Sequence, residues 1–105
     1  MLNQTILVGR IMKKSKLIEK NNNKICDIDL SISRNYKDNN GEYKNDIIKC
    51  RLFNKIAETA SEYMKEGDLV GVKGKIRSDK SKTIVIAESL TFLSKGNEKN
   101  MDKEK

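Results

Sequence analysis

The chain has 105 residues, the size of one compact domain, with no apolar run long enough to span a membrane and no signal peptide. Its 22 lysine and arginine residues against 15 aspartate and glutamate residues give a formal charge of +7. This excess indicates an anionic partner, most commonly nucleic acid, although a lysine-rich composition also follows from an AT-biased genome. We therefore expect a cytoplasmic protein without a membrane partner.

The composition also excludes several kinds of site. The chain has two cysteines, Cys26 and Cys50, and no histidine, so it lacks the ligand set of a zinc site and the base of a Ser–His or Cys–His nucleophile. Both cysteines fall on the apolar side of predicted strands, which favours buried, reduced thiols over redox chemistry. We expect no catalytic residues, no metal and no cofactor.

The first half of the chain alternates with period two, which is typical of half-buried strands. The first predicted strand covers residues 4–13, with Gly9 where a bend or a close backbone approach would require glycine. A polar stretch, residues 14–23, ends in an asparagine-rich turn. The second strand covers residues 24–35. Its apolar face contains Cys26, Ile28, Leu30 and Ile32.

A turn at residues 38–41, DNNG, leads to the third predicted strand, residues 46–55, DIIKCRLFNK. One face of this strand is apolar, with Ile48, Cys50 and Leu52. The opposite face mixes cations with apolar groups, which a purely solvated face would not do. This mixed face consists of Ile47, Lys49, Arg51 and Phe53.

The spacing then changes and predicts a helix over residues 54–67. Asn54 could cap its start, and Gly67 could end it in the left-handed conformation. The apolar stripe, which we expect to include a core tyrosine, consists of Ile56, Ala60, Tyr63 and Met64.

Two more strands are predicted, over residues 68–77 and 83–93. The fourth has Val70, Val72 and Ile76 on one face and cations on the other, and Phe92 of the fifth is expected to pack. Three strands, a helix and two strands is the element order of the OB-fold, an all-β five-stranded Greek-key barrel with one helix. A small open sheet capped by the helix is the alternative. The domain would cover residues 1–94, and residues 95–105 would form a polar, disordered tail.

Cations and rings occur together in a way that suits single-stranded nucleic acid, because cations neutralise phosphates and flat side chains stack on bases. Besides the mixed face, Arg34 lies at the end of the second strand, and Tyr43 follows the turn. Tyr36 also lies near the end of the second strand, but its position does not match the polar side of that strand, so we expect it in the loop. The cations of the fourth strand could equally form a solvated face. They are Lys73, Lys75 and Arg77.

An enzymatic alternative rests on acidic residues. Asp27 and Asp29 lie on one face of the second strand, with Glu42 and Asp46 across a hairpin, and together could chelate a divalent metal in a nuclease. Alternating aspartate and serine are also typical of the solvent-exposed face of an antiparallel strand. We favour the second interpretation.

Three segments resemble bacterial single-stranded DNA-binding proteins: MLNQTILVGRI at residues 1–11, DIIKCRLFNKIAETASEYMKEGDLVGVKGKIRS at 46–78, and AESLTFL at 87–93. The resemblance implies an OB-fold that binds single-stranded DNA without sequence preference in replication, recombination and repair, commonly as a tetramer. It places Tyr36 and Phe53 at base-stacking positions, and Ile47 at a third that is usually aromatic. The candidate phosphate contacts are Arg10, Arg34, Lys49, Arg51, Lys73 and Arg77.

The chain departs from this family at three places. The connection between the fourth and fifth strands is much shorter than usual, so a dimer is compatible as well as a tetramer, and the turn after the first strand is IEKNNNK instead of one bearing proline or glycine. The tail is short and not acidic, as in a short paralogue or a phage or mobile-element form, so recruitment of replication proteins through an acidic tip is not expected. A dimeric OB-fold accessory protein of a primosome, binding proteins as well as DNA, is the alternative function.

Overall fold

The computed structural model describes residues 1–96, which form six strands and one helix. The five long strands are those predicted, and the short β2 is an addition within the stretch predicted to be polar. It pairs with β3 across a two-residue turn, Asn21 and Asn22, both with positive φ (52° and 68°), as tight hairpins require. The elements are β1 Thr5–Lys14, β2 Ile18–Lys20, β3 Asn23–Lys37, β4 Tyr43–Phe53, α1 Asn54–Tyr63, β5 Leu69–Asp79 and β6 Lys82–Ser94.

The long strands close into a barrel. Their order is β1-β5-β6-β4-β3, and β3 pairs back onto β1. All pairs are antiparallel except β4 with β6, which share only two register pairs, Cys50 with Val85 and Arg51 with Ile86. This closed, five-stranded arrangement with the helix between β4 and β5 confirms the predicted OB-fold, and the open-sheet alternative is wrong.

Closure depends on Gly9. The next residue, Arg10, pairs with Leu69 of β5 and also with Ser31 of β3, so β1 changes partner here. A Cβ atom at Gly9 would lie 2.7 Å from the carbonyl oxygen of Ser31 and 2.9 Å from a side-chain carbon of Ile32. Because no side chain fits between the two backbones, glycine has the close-approach role predicted for it.

The core is built from the inner faces of the strands. Both cysteines are fully buried among aliphatic side chains and form no disulfide, as predicted. Burial raises the pKa of the Cys50 thiol to about 12, and it also raises the pKa of Cys26 above its ordinary value. The largest fully buried side chains are Ile11, Ile28, Leu30, Leu52, Val70, Val72, Cys26 and Cys50.

The ends of the helix differ from the prediction. Asn54 does not cap α1: it has φ 55°, and its side chain accepts a hydrogen bond from the backbone N–H of Lys24 and donates one to Asn23. The helix ends at Tyr63 instead of residue 67, with the backbone N–H of Met64 donating to the carbonyl of Ala60. Asn54 therefore fastens the start of α1 to the β2–β3 hairpin.

A lysine from β1 satisfies the carbonyl groups at the end of α1. Lys14 Nζ donates to the carbonyl oxygens of Ala60 (3.2 Å), Ser61 (3.0 Å) and Met64 (2.6 Å). Gly67 does adopt the predicted left-handed conformation, with φ 97°, but it lies in the loop beyond the helix. The carbonyl groups at the end of the helix are therefore satisfied by a tertiary contact instead of by a glycine cap.

Three aromatic and aliphatic residues are more exposed than predicted. Tyr63 is 70% exposed and Phe92 48%, so neither belongs to the core. Ile76 is also 48% exposed, although it lies on the same face of β5 as the buried Val70 and Val72. Helical or strand spacing identifies a face, but whether that face is covered depends on the neighbouring elements.

The helix α1, within residues 1–96, is neither long nor apolar enough to cross a membrane. The predicted domain boundary at residue 94 and the disordered tail stay predictions, since residues 97–105 lie outside the described part of the chain.

Candidate nucleic-acid interface

The outer face of β4 carries the four residues predicted to lie together. Ile47, Lys49, Arg51 and Phe53 alternate with the inner Ile48, Cys50 and Leu52, and we call these four outer residues the β4 platform. Ile47 is 48% exposed, whereas Phe53, next to α1 and opposite Ile25, is partly buried. The platform therefore presents aliphatic and aromatic groups beside cations on one continuous surface.

Arg51 of the platform is held by two carboxylates. Its Nε and Nη2 atoms donate to Asp27 at 2.9 and 3.2 Å, and its Nη1 donates to Asp79 at 3.2 Å. The hydrogen bonds to Asp27 raise the pKa of the Arg51 guanidinium above its ordinary value. Arg51 thus links β3, β4 and the end of β5, and its charge is matched within the protein.

Arg34 is matched in the same way by Asp46. Arg34 Nη2 lies 2.7 Å from Asp46 Oδ1, and Nε lies 3.1 Å from Oδ2. This double contact raises the pKa of Arg34 and lowers that of Asp46. Two of the predicted phosphate contacts therefore already have acidic partners in the absence of DNA.

Tyr36 lies within β3 and not in a loop, which corrects the prediction for its position. Between the register pairs Ser33–Asn45 and Lys37–Tyr43, three residues of β3 lie against one residue of β4, so the strand bulges around Tyr36. Tyr36 is 65% exposed.

Tyr43 is a neighbouring ring that was noted in the sequence but not assigned to the site. It is 59% exposed, and Lys37 Nζ lies 5.8 Å from the centre of its ring. The predicted turn between β3 and β4 is confirmed, since Asp38 accepts backbone hydrogen bonds from Asn40 and Glu42, each at 2.9 Å. The hydrogen bond from Glu42 is the main cause that lowers the pKa of Asp38.

The remaining predicted cations occupy two parts of the outer surface. Within residues 1–96, Lys49, Lys73 and Arg77 form no ion pair. Lys73 and Arg77 lie on β5, which β6 separates from β4. Arg10 donates through Nη1 to the carbonyl of Gly67 at 3.0 Å. The platform thus has one unmatched cation of its own, Lys49.

The strand register brings two β1 cations to the same surface as the platform. Arg10 pairs with Ser31, which pairs with Ile47. Lys13 pairs with Asp29, which pairs with Lys49. Sequence reasoning missed Lys13, because a register shift between Ile11 and Lys13 reverses the face that simple alternation assigns to it.

The acidic residues of β3 do not form a metal cluster. Asp27 is bound by Arg51, and Asp29 lies opposite Lys13 and Lys49 in the register. In the part of the chain that the structure describes, no three acidic, cysteine or histidine side chains come together as metal ligands would. The carboxylates of β3 instead lie beside cations, and of these Arg51 forms an ion pair with Asp27.

Comparison with known families identifies the chain. The model of the single-strand binding protein family matches residues 2–92. The chain belongs to this family. The resemblance seen in the sequence is therefore confirmed.

Two bacterial members of the family illustrate the relationship. The single-stranded DNA-binding protein of Staphylococcus epidermidis is 36% identical over 108 residues, covering 95% of this chain and 82% of the relative. The single-stranded DNA-binding protein 1 of Clostridium acetobutylicum is 33% identical over 103 residues, covering 88% and 94%.

Solved structures with this fold include more distant proteins. The protein priB from Ralstonia solanacearum matches with a TM-score of 0.73 at 15% identity, over 89% of this chain and all of that one. A deletion mutant of the single-stranded DNA binding protein from Thermus aquaticus matches with a TM-score of 0.71 at 23% identity, over 89% of this chain and 51% of that one. At these identities the likeness establishes the fold alone.

Proposed function

We propose that this family member binds single-stranded DNA without sequence preference. The observation that carries the proposal is the β4 platform, where Ile47 and Phe53 alternate with cations on the outer surface of an OB-fold. Exposed rings at Tyr36 and Tyr43 lie further along the same two strands, β3 and β4. Membership of the single-strand binding protein family supports the same function.

Base contacts and phosphate contacts fall to different residues. Tyr36 and Phe53 stack on bases, and Ile47 packs against a base without a ring of its own. Lys49 neutralises phosphate at the platform, and three further cations act beyond it. They are Arg10, Lys73 and Arg77. Arg34 and Arg51 contribute to the positive field, but their carboxylate partners make them weaker phosphate ligands.

The biological setting follows from the family and is part of the proposal. Replication, recombination and repair all expose single strands, and a sequence-independent binder protects them. The protein would then act where DNA is replicated, in the cytoplasm, and without catalysis. A primosome-type accessory role is not favoured, because the family match and the curated relatives are single-strand binding proteins, whereas priB shares only the fold.

We also propose that the protein is a homo-oligomer that assembles through β1. Upstream of Arg10, β1 has no register partner on β3, so the strand has an open edge there in the described chain. Ile6 and Val8 are 72% and 51% exposed on its outer face. The mass measured by light scattering should exceed that of one chain, and Ile6→Glu should lower it. A single-chain mass for the unaltered protein would contradict this arrangement.

Salt-dependent binding tests the proposed function. Affinity for oligo(dT), measured at increasing salt, should fall steeply, because few rings are available and phosphate neutralisation carries much of the binding. An RNA oligomer of equal length should compete less well than DNA. Undetectable binding, or an affinity that does not change with salt, would contradict the proposal.

A further inference from the structure

The barrel is open at one end, between β4 and β6. These strands share two register pairs, and β4 has no register partner on β6 before Cys50. The inner face is therefore uncovered there, which explains why Ile76 is 48% exposed while Val70 and Val72 on the same face are buried. The opening leads into a cleft of about 220 Å³, which we call the mouth cleft. Its aliphatic walls are Leu7, Ile47, Ile48, Ile76 and Ile84.

The polar groups of the mouth cleft are few and uncharged, with one exception. Thr5 and Thr83 contribute hydroxyl groups, and Lys49 is the charged residue of the lining. The nearest acidic position on the inner face of β4 is Asp46, whose charge is matched by Arg34. The cleft thus combines apolar walls, hydroxyls that both donate and accept hydrogen bonds, and a cation at its rim.

We propose that the mouth cleft holds one unpaired nucleobase of the bound single strand. This rests on the proposed function. Ile47 and Lys49 belong to the β4 platform and also line the cleft, so a strand crossing the platform passes its entrance. Lys49 would hold the phosphate at the rim while the base enters between Ile47 and Ile76.

The chemistry of the cleft favours a base over the other groups that a single strand offers. A base is flat and uncharged, so aliphatic walls cover its faces, whereas a phosphate would be desolvated there. Hydroxyl groups can meet either donors or acceptors on the edge of a base, so Thr5 and Thr83 would accept any sequence. The pocket would supply in part the contact that a ring at position 47 would otherwise provide.

Methyl NMR on the full chain tests this directly. With labelled isoleucine methyl groups, oligo(dT) should shift the signals of Ile47, Ile76 and Ile84 through the ring current of the base. Ile18, 54% exposed on β2 and outside the cleft, should not move. An abasic oligomer of the same length supplies sugars and phosphates but no bases, and it should leave the signals of Ile76 and Ile84 in place.

A pair of variants adds a measurement of affinity. Ile76→Ala should weaken binding of oligo(dT) by about three- to tenfold, less than the loss of a stacked ring, with the dependence on salt unchanged. Ile18→Ala removes an isoleucine of similar exposure and should leave the affinity within about twofold. Thermal unfolding of both variants would verify that they fold.

The outcomes separate the cleft from the function. If oligo(dT) binds with the expected salt dependence but Ile76 and Ile84 do not shift, and Ile76→Ala behaves as Ile18→Ala, the cleft is not a base site and DNA binding stands. Equal shifts with the abasic oligomer, or shifts that depend on protein concentration without DNA, would assign the cleft to backbone or to a second copy and overturn the proposal. If the unaltered protein binds no oligo(dT), both proposals fail.

Discussion

Arg51 on β4 and Asp27 on β3 face each other across the sheet and form two hydrogen bonds, of 2.9 and 3.2 Å. Asp79 adds a third contact to the same guanidinium, from the end of β5. Lys49 lies two residues before Arg51 on the same outer face and has no acidic partner among residues 1–96. The two cations of the β4 platform therefore have different roles: Arg51 is structural, and Lys49 is available to phosphate.

Replacing each of these cations by methionine should separate the two roles. Lys49→Met should reduce the slope of log affinity against log salt by about 0.7, the value for one phosphate contact on a single strand, without changing stability. Arg51→Met leaves two carboxylates unmatched and should lower the free energy of unfolding by about 1–3 kcal/mol. Oligo(dT) titrations at several salt concentrations and urea unfolding measure both. A larger loss of salt dependence for Arg51→Met than for Lys49→Met would show that DNA displaces the carboxylates.

Two tyrosines of similar exposure form a matched pair for base stacking. Tyr36 is 65% exposed on β3, and Tyr63 is 70% exposed on α1, beside Met64 and Phe92 and away from the platform. Tyr36→Ala should weaken oligo(dT) binding by about 1–3 kcal/mol, the range for loss of one stacked base. Tyr63→Ala should leave affinity unchanged. Equal effects of the two changes would argue against a stacking role for Tyr36.

Ile47 is the platform position where a ring would add most. It is 48% exposed, and the two rings of its strand, Tyr43 and Phe53, lie four residues before it and six residues after it. Ile47→Trp should strengthen oligo(dT) binding, by up to about 1–3 kcal/mol, because a flat surface replaces a branched chain. Ile18→Trp on β2 is the control and should change little. A weaker affinity for Ile47→Trp would mean that the branched side chain itself is needed there.

Lys14 should matter for stability and not for DNA binding. Its ammonium group donates to three carbonyls at the end of α1, at 2.6–3.2 Å. Lys14→Met should lower the free energy of unfolding by about 1–3 kcal/mol, because charge-assisted hydrogen bonds to partly buried groups are lost. Lys13→Met, at the exposed neighbouring position, should change the free energy of unfolding by less than about 0.5 kcal/mol. Urea unfolding of the two variants makes the comparison.

The buried thiol of Cys50 should make the protein less stable at alkaline pH. Its pKa is raised to about 12 by burial, so the folded state keeps the proton that the unfolded state loses above about pH 9. The thiol's contribution to stability is therefore complete below pH 9 and decreases as pH rises toward 12, by about 2 kcal/mol at pH 10.5. Cys50→Ala should show a smaller decrease over the same range in urea unfolding. An identical pH dependence in the two proteins would contradict the role of this thiol.

Simple alternation was sufficient to predict the core. Side chains of a strand point to opposite faces in turn, so Ile28, Leu30 and Leu52 could be assigned to the interior from spacing alone. The same reasoning assigned both cysteines correctly. It failed at Lys13, since the register shift between Ile11 and Lys13 reverses the face that counting by twos assigns.

Coverage of a face could not be predicted in the same way. Tyr63 follows the helical stripe of α1, and Phe92 lies in a strand that closes the barrel, yet both are exposed. The helix is one turn shorter than its spacing suggested, since the backbone is already extended at Met64, where Lys14 of a distant strand donates to the carbonyl groups. Burial at the ends of elements depends on which neighbour reaches them, and local sequence carries no information on that.

The sequence by itself determined the order of the elements, the buried face of each long strand and the mixed character of the β4 platform, because these depend on periodicity within one strand or helix. Only the tertiary structure decided which cations are free. Arg51 meets Asp27 from 24 residues away and Arg34 meets Asp46 from 12, through a strand register that alternation does not specify. Charge counts along a chain do not show which charges neutralise each other. The register of the folded sheet determines that.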